Sequence, residues 1–111
     1  MMNKEELIEL LKKTGVKVNE CIPEDIHMND ETRICFWEYE WEPLVASNLE
    51  YNTKVTYQIS IISNKPRNNA ILMLKKELEK NGLHPVIQHE KDIESRRWHS
   101  YFALEVLENI E

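Results

Sequence analysis

Two stretches of strict alternation constrain this chain more than anything else in it. In residues 53–62, Val55, Tyr57, Ile59 and Ile61 alternate with Lys54, Thr56, Gln58 and Ser60. In residues 98–107, Trp98, Ser100, Phe102, Leu104 and Val106 alternate with His99, Tyr101, Ala103, Glu105 and Leu107. Successive side chains of a strand point to opposite faces, so a period of two writes a sheet with one covered face. A third run, TRICFWEYEW at 32–41, is rich in β-branched and aromatic residues. Its alternation sets Cys35, Trp37, Tyr39 and Trp41 against Ile34, Phe36, Glu38 and Glu40. The first half reads as covered on both sides, and the second half turns one side to solvent or a partner. Residues 83–90 make a fourth strand, and Val16-Lys17-Val18 is a further candidate for a short edge strand.

The apolar face needs a cover, and two amphipathic segments supply it. Over 4–14, Asn3 stands at the N-cap with Glu6 placed to complete a capping box. Leu7, Leu10 and Leu11 form the apolar stripe, widened by Ile8, and Gly15 is placed as the C′ residue. Over 67–81, Ala70, Ile71, Leu74 and Leu78 form the stripe, broadened by Leu72 and Met73. Ser63 or Asn64 stands near the cap position, and Gly82 supplies the C′. The order α-β-β-α-β-β predicts an α+β fold, with an antiparallel sheet of about four strands and both helices packed on one face. At 111 residues the chain is read as a single domain, 1–111.

Composition removes several function classes. Lys+Arg 14 against Asp+Glu 20 gives a net charge of −6, whereas coating a nucleic acid or an anionic membrane requires a cationic footprint. No apolar run approaches the roughly 20 residues that span a bilayer, and residues 1–11 lack the apolar centre of a signal peptide. A soluble protein of intracellular origin is the expectation. With glycine only at 15 and 82, neither GxGxxG nor a P-loop can exist. His27, His84, His89 and His99 lack HxxxH or HExxH spacing, and the last three share at most a hairpin face, so no metal is expected. Cys21 and Cys35 lack CxxC spacing, and Cys35, inside an apolar run, reads as a buried free thiol rather than half of a disulfide. No cofactor and no enzymatic activity are expected.

Three features remain as candidate sites. Glu38, Glu40 and Glu42 place three carboxylates at period two, a crowding that raises a pKa in an enzyme. No nucleophile or fixed base accompanies them, so they read as a charge-protected edge or an electrostatic surface for assembly. Residues 42–52, containing Ala46, Ser47, Asn48, Leu49 and Glu50, form a hairpin connection longer than the usual two to five residues, and such loops commonly carry function. Arg96-Arg97-Trp98-His99 is the basic-aromatic cluster of the chain. It suits phosphate and base contacts, but the acidic balance favours a protein–protein contact, where Arg and Trp are enriched.

The elements also resemble a known group. An opening helix ending KKTGVKV, the strand TRICFWEYEW and the strand VTYQISIIS after an Asn-rich loop come in that order. The helix AILMLKKELEKNGL and a last pair around HPVIQHEKD and RRWHSYFALEV complete the series. Tyr57-Gln58-Ile59 matches a YxQI-like strand ahead of the second helix. In this pattern, over nearly its whole length, the chain resembles the small tail-completion proteins of long-tailed phages (tail-terminator or head-tail joining proteins), of the prophage type. The resemblance implies a non-catalytic virion protein, made in the bacterial host cytoplasm and residing in the tail. It implies a homo-oligomeric ring, a hexamer, that caps the tail tube and joins it to the head connector. Its partners would be itself, the tail-tube protein and the head-connector protein, with no sequence-specific nucleic acid and no membrane. On that reading Glu38, Glu40, Glu42 and residues 46–50 line a subunit interface or the channel, and Arg96 and Arg97 pair with a neighbouring subunit. The competing readings are an acidic inhibitor or immunity-type protein that binds a basic partner through the same carboxylates, and a small ligand-binding regulator.

Overall fold

A computed structural model describes residues 2–20, 32–45, 52–93 and 96–110. In chain order the elements are α1 (Lys4–Lys12), β1 (Lys17–Glu20), β2 (Arg33–Pro43), β3 (Thr53–Ser63), α2 (Asn69–Lys80), β4 (Gln88–Lys91) and β5 (Trp98–Glu108). The fold is α+β, with two helices and a five-stranded sheet in the order β1-β2-β3-β5-β4. The expected antiparallel set is present in β2, β3, β5 and β4. The fifth strand is the correction: β1 pairs with β2 in parallel, so the sheet is mixed. A parallel neighbour needs a crossover of a dozen or so residues, and the stretch between Glu20 and Arg33 has that length.

Both helices lay their apolar stripes on one sheet face. Leu7, Leu10 and Leu11 of α1 and Ala70, Ile71, Leu74 and Leu78 of α2 join Ile34, Phe36, Val55, Tyr57, Ile59, Ile61, Phe102, Leu104 and Val106 in one core. Each buried leucine contributes on the order of 2 kcal/mol by transfer from water. Phe36 and Tyr57 meet edge-on, with ring centroids 5.7 Å apart. Leu72 and Met73 do not broaden the stripe as expected; they are 50% and 46% exposed. At about 100° per residue they fall well away from the line of Ala70, Ile71, Leu74 and Leu78, and nothing packs over that side among the described residues.

The helix ends follow local chemistry. Asn3 Oδ1 accepts the Glu6 N–H at 2.9 Å and Glu6 answers with a bond from the Asn3 N–H, closing the capping box. At α2 the cap is Asn68, in place of Ser63 or Asn64. Its Oδ1 accepts the Ile71 N–H at 2.9 Å, while its Nδ2 donates to Ser63 Oγ at 2.8 Å. The expected position was too early because Pro66 and Arg67 form a turn before the helix begins. Gly82, at φ +71°, ends α2 with the Leu83 N–H bonded to Leu78 O and its own N–H to Glu79 O. These are the paired bonds of a Schellman ending, which needs a left-handed residue there.

Two further expectations are overturned. The strand expected over 83–90 is reduced to Gln88–Lys91, with Pro85, which has no N–H to give, inside the lost part. Cys35 is wholly buried as expected but is disulfide-bonded rather than free; the chain's other cysteine, Cys21, lies outside the described residues. β1 runs beside β2 with Asn19 opposite Cys35, a neighbourhood that spacing along the chain does not reveal.

Candidate functional site

The sheet divides into two halves. Among the described residues, β1 pairs with residues 33–36 of β2, and β4 with residues 98–101 of β5. Beyond them β2, β3 and β5 continue as a three-stranded blade, paired through Pro43↔Thr53 and Thr53↔Glu108. The hairpin is therefore longer than the sequence suggests: Glu42 and Pro43 belong to β2, and the Leu44 N–H bonds to Asn52 O at 2.9 Å. The candidate residues Ala46, Ser47, Asn48, Leu49 and Glu50 lie outside the described residues.

A β-bulge decides where the carboxylates point. Glu38 pairs with Tyr57 and Glu40 with Thr56, leaving Tyr39 as the extra residue. Before the bulge, even-numbered residues of β2 share the helix-covered face with Phe36; after it they share the open face with Thr56 and Lys54. The row of three is thus split. Glu38 lies on the helix side with Trp41, whose indole N–H donates to it, while Glu40 and Glu42 lie on the open side. The same switch breaks the expected aromatic row of Trp37, Tyr39 and Trp41.

On the open face Lys54 Nζ stands 2.6 Å from Glu42 Oε2 and 3.7 Å from Glu105 Oε2. The hydrogen bond to Glu42, then the charge of Glu105, raises the Lys54 ammonium above its ordinary value. Both carboxylates are about half exposed, so the pairs add little to stability. Glu40, Glu42 and Glu105 share this open face with Lys54, while Glu38 and Glu108 lie on the helix side of the blade. Tyr39 and Trp41 stand 57% and 56% exposed among them. A cleft of about 560 Å³ opens on this side, with Tyr39, Glu40, Thr56, His84, Pro85 and Glu105 in its wall.

Below the blade, Tyr57 donates its hydroxyl to Glu108 at 2.7 Å, and Lys4 Nζ lies 5.8 Å from the ring centroid. Burial, reinforced by the bond to Glu108, pushes the phenol well above its ordinary value of 10.0. The folded state therefore favours the neutral phenol. That contribution is complete below about pH 10 and is lost as the pH rises further, because the unfolded chain sheds a proton that the folded chain retains. Unfolding midpoints measured from pH 8 to 11 are expected to fall, and Tyr57→Phe to make that fall shallower. Equal slopes in the two proteins would contradict this assignment.

The arginine pair sits at the other end of the sheet. Arg96 is exposed, at φ +58°, in the turn that closes with the Asp92 N–H on Arg97 O and the Arg96 N–H on Asp92 O. Arg97 is only 8% exposed and donates from Nη1 to Asn64 Oδ1 at 3.0 Å. It braces the turn rather than projecting into solvent.

The histidines do not converge. His89 lies opposite Ser100 and His99 opposite Glu90, adjacent ladder positions that face opposite ways. His27 lies outside the described residues, and no group of three metal-ligating side chains occurs among the described ones. His89 Nδ1 and Ser100 Oγ are 2.7 Å apart, but Ser100 is wholly buried and its hydroxyl cannot reach a substrate. No described helix is long and apolar enough to cross a membrane.

No protein-family profile matches the chain, and no curated protein matches it. Among solved structures it is similar to the sheath/tube terminator of an extracellular contractile injection system (PVC), in the extended state, solved by cryo-EM. The TM-score is 0.37 and the identity 11%; the alignment covers 99% of this chain and 58% of that one.

Proposed function

We propose that this protein is a structural component of a prophage-type, long-tailed phage. It caps the tail tube and joins it to the head connector, without catalysis. The observation that carries the reading is the blade: among the described residues, three strands extend past the paired parts of their neighbours, rimmed by carboxylates and half-exposed aromatics, with no convergent catalytic group beside them. The element pattern shared with tail-completion proteins supports the same reading. In it, copies assemble head-to-tail into a hexameric ring on the tail, a closed heterologous arrangement. The acidic end of one copy (Glu38, Glu40, Glu42 and residues 46–50) approaches the opposite end of the next, where Arg96 is exposed and Arg97 holds the turn. Carboxylates left facing the channel repel DNA phosphates, so the duplex slides without sticking. The tail-tube and head-connector proteins are the other partners.

The reading is tested by deleting the gene from the prophage that encodes it. Induced cells are expected to yield filled heads and detached tails, with infectious particles restored by supplying the protein in trans. Normal infectious particles from the deletion would refute it.

A further inference from the structure

Asn81-Gly82 is the one Asn-Gly pair in the sequence, and it stands exposed at the end of α2. An asparagine followed by glycine is prone to attack on its own side chain. With no Cβ on the glycine, nothing shields its nitrogen or restricts its approach to the asparagine Cγ. The nitrogen bonds to Cγ, closing a five-membered succinimide ring, and the Cγ–Nδ2 bond breaks. Nδ2 leaves as ammonia, taking the proton that the backbone nitrogen gives up. Water then opens the ring at either carbonyl, leaving aspartate or its isomer with the main chain routed through Cβ.

The fold holds the participants away from that reaction. Asn81 sits at ψ 11°, which nearly eclipses the Gly82 nitrogen with the Asn81 nitrogen and leaves it a third of a turn from Cβ. The Gly82 N–H is bonded to Glu79 O at 3.0 Å, and Asn81 Nδ2 donates to Glu77 O at 2.8 Å. The Leu83 N–H, bonded to Leu78 O at 2.9 Å, closes the same turn. An exposed helix end opens at a lower free energy than the core it flanks. We propose that Asn81 is a modification site, converted spontaneously to aspartate or isoaspartate when the last turn of α2 opens, and guarded by the Schellman ending while it is closed. The product weakens the guard. A carboxylate at 81 cannot donate to Glu77 O, and it sets negative charge at the negative end of the helix dipole. The isomer's extra backbone atom breaks the spacing that the paired bonds require. Conversion thus records how long a chain has spent open, and the inference stands whether or not the protein caps a tail.

The test incubates the full-length protein in mildly alkaline buffer, folded and in denaturing guanidinium chloride, and maps its peptides by mass at intervals. In the denaturant Asn81 is expected to be the first asparagine converted. In the folded protein its conversion is expected to be slower by on the order of tenfold or more. Amide exchange at Gly82 and Leu83 reports the same opening, so denaturant below the unfolding transition is expected to raise exchange and conversion together. Converted protein, separated by charge, is expected to exchange those two amides faster than its parent. Asn81→Gln, in which attack closes a larger ring far more slowly, is expected to abolish conversion at this position. Equal rates in folded and unfolded protein, faster conversion at another asparagine, or unchanged exchange after conversion would each overturn the proposal. The rate comparison needs only the unaltered protein, so a variant that fails to fold does not blunt the test.

Discussion

Leu74→Asp is expected to lower the unfolding free energy by about 4 kcal/mol, a large part of what a domain of this size possesses. Leu74 is wholly buried in the core between α2 and the sheet. A carboxylate there has neither water nor a cationic partner in the cluster that surrounds it. The neighbouring change Met73→Asp, on the exposed side of the same helix, is expected to move stability by only about 0.5 kcal/mol. Urea unfolding of the two variants reads the contrast directly. Comparable losses, or none at Leu74, would mean that α2 does not lie on the sheet through Ala70, Ile71, Leu74 and Leu78.

The second large effect concerns assembly. Replacing residues 45–51 by Asn-Gly removes the proposed contact segment Ala46–Glu50 and leaves a two-residue turn of the kind that suits a hairpin. The fold is expected to survive. The pairing up to Pro43↔Thr53 and the bond from the Leu44 N–H to Asn52 O close the hairpin without the loop, and none of Leu44, Val45 and Asn52 belongs to the core. Under the proposed function such a protein melts like its parent but no longer completes tails, so infectious particles fall to the level of the gene deletion. A normal yield would remove residues 46–50 from the interface.

What was legible in the sequence was what local chemistry decides. The capping box of Asn3 and Glu6, the Gly82 ending and the apolar stripes of both helices each depend on residues within one or two turns. The alternations of β3 and β5 survive because one face is buried along nearly their whole length. β2 was harder for a physical reason. TRICFWEYEW carries aromatic or aliphatic side chains at both parities, so inserting one residue at Tyr39 leaves the pattern equally plausible and moves Glu40 and Glu42 to the other face. The charges of Lys54 and Glu105, which gather with Glu42, could have hinted at the switch, but only once the register of β2 on β3 was known.

The remaining misses are non-local in the same way. The parallel pairing of β1, the oxidised state of Cys35 and the burial of Arg97 against Asn64 depend on segments far apart in the chain. Arg97 is instructive, because a basic pair ahead of a Trp reads as solvated until the loop after β3 is seen to supply Asn64 as acceptor. Of the candidate surface, the acidic character was readable, and its division between two faces at the bulge was not.

The central claim is a place in an assembly, and cryo-electron microscopy of tails from the encoding prophage tests it most directly. Tails made with the protein are expected to end, on the head-proximal side, in a single ring of density into which six copies of this fold can be placed. Tails made without it are expected to lack that ring and to vary in length. Uniform, closed tails in its absence, or density for the protein elsewhere in the particle, would contradict the account.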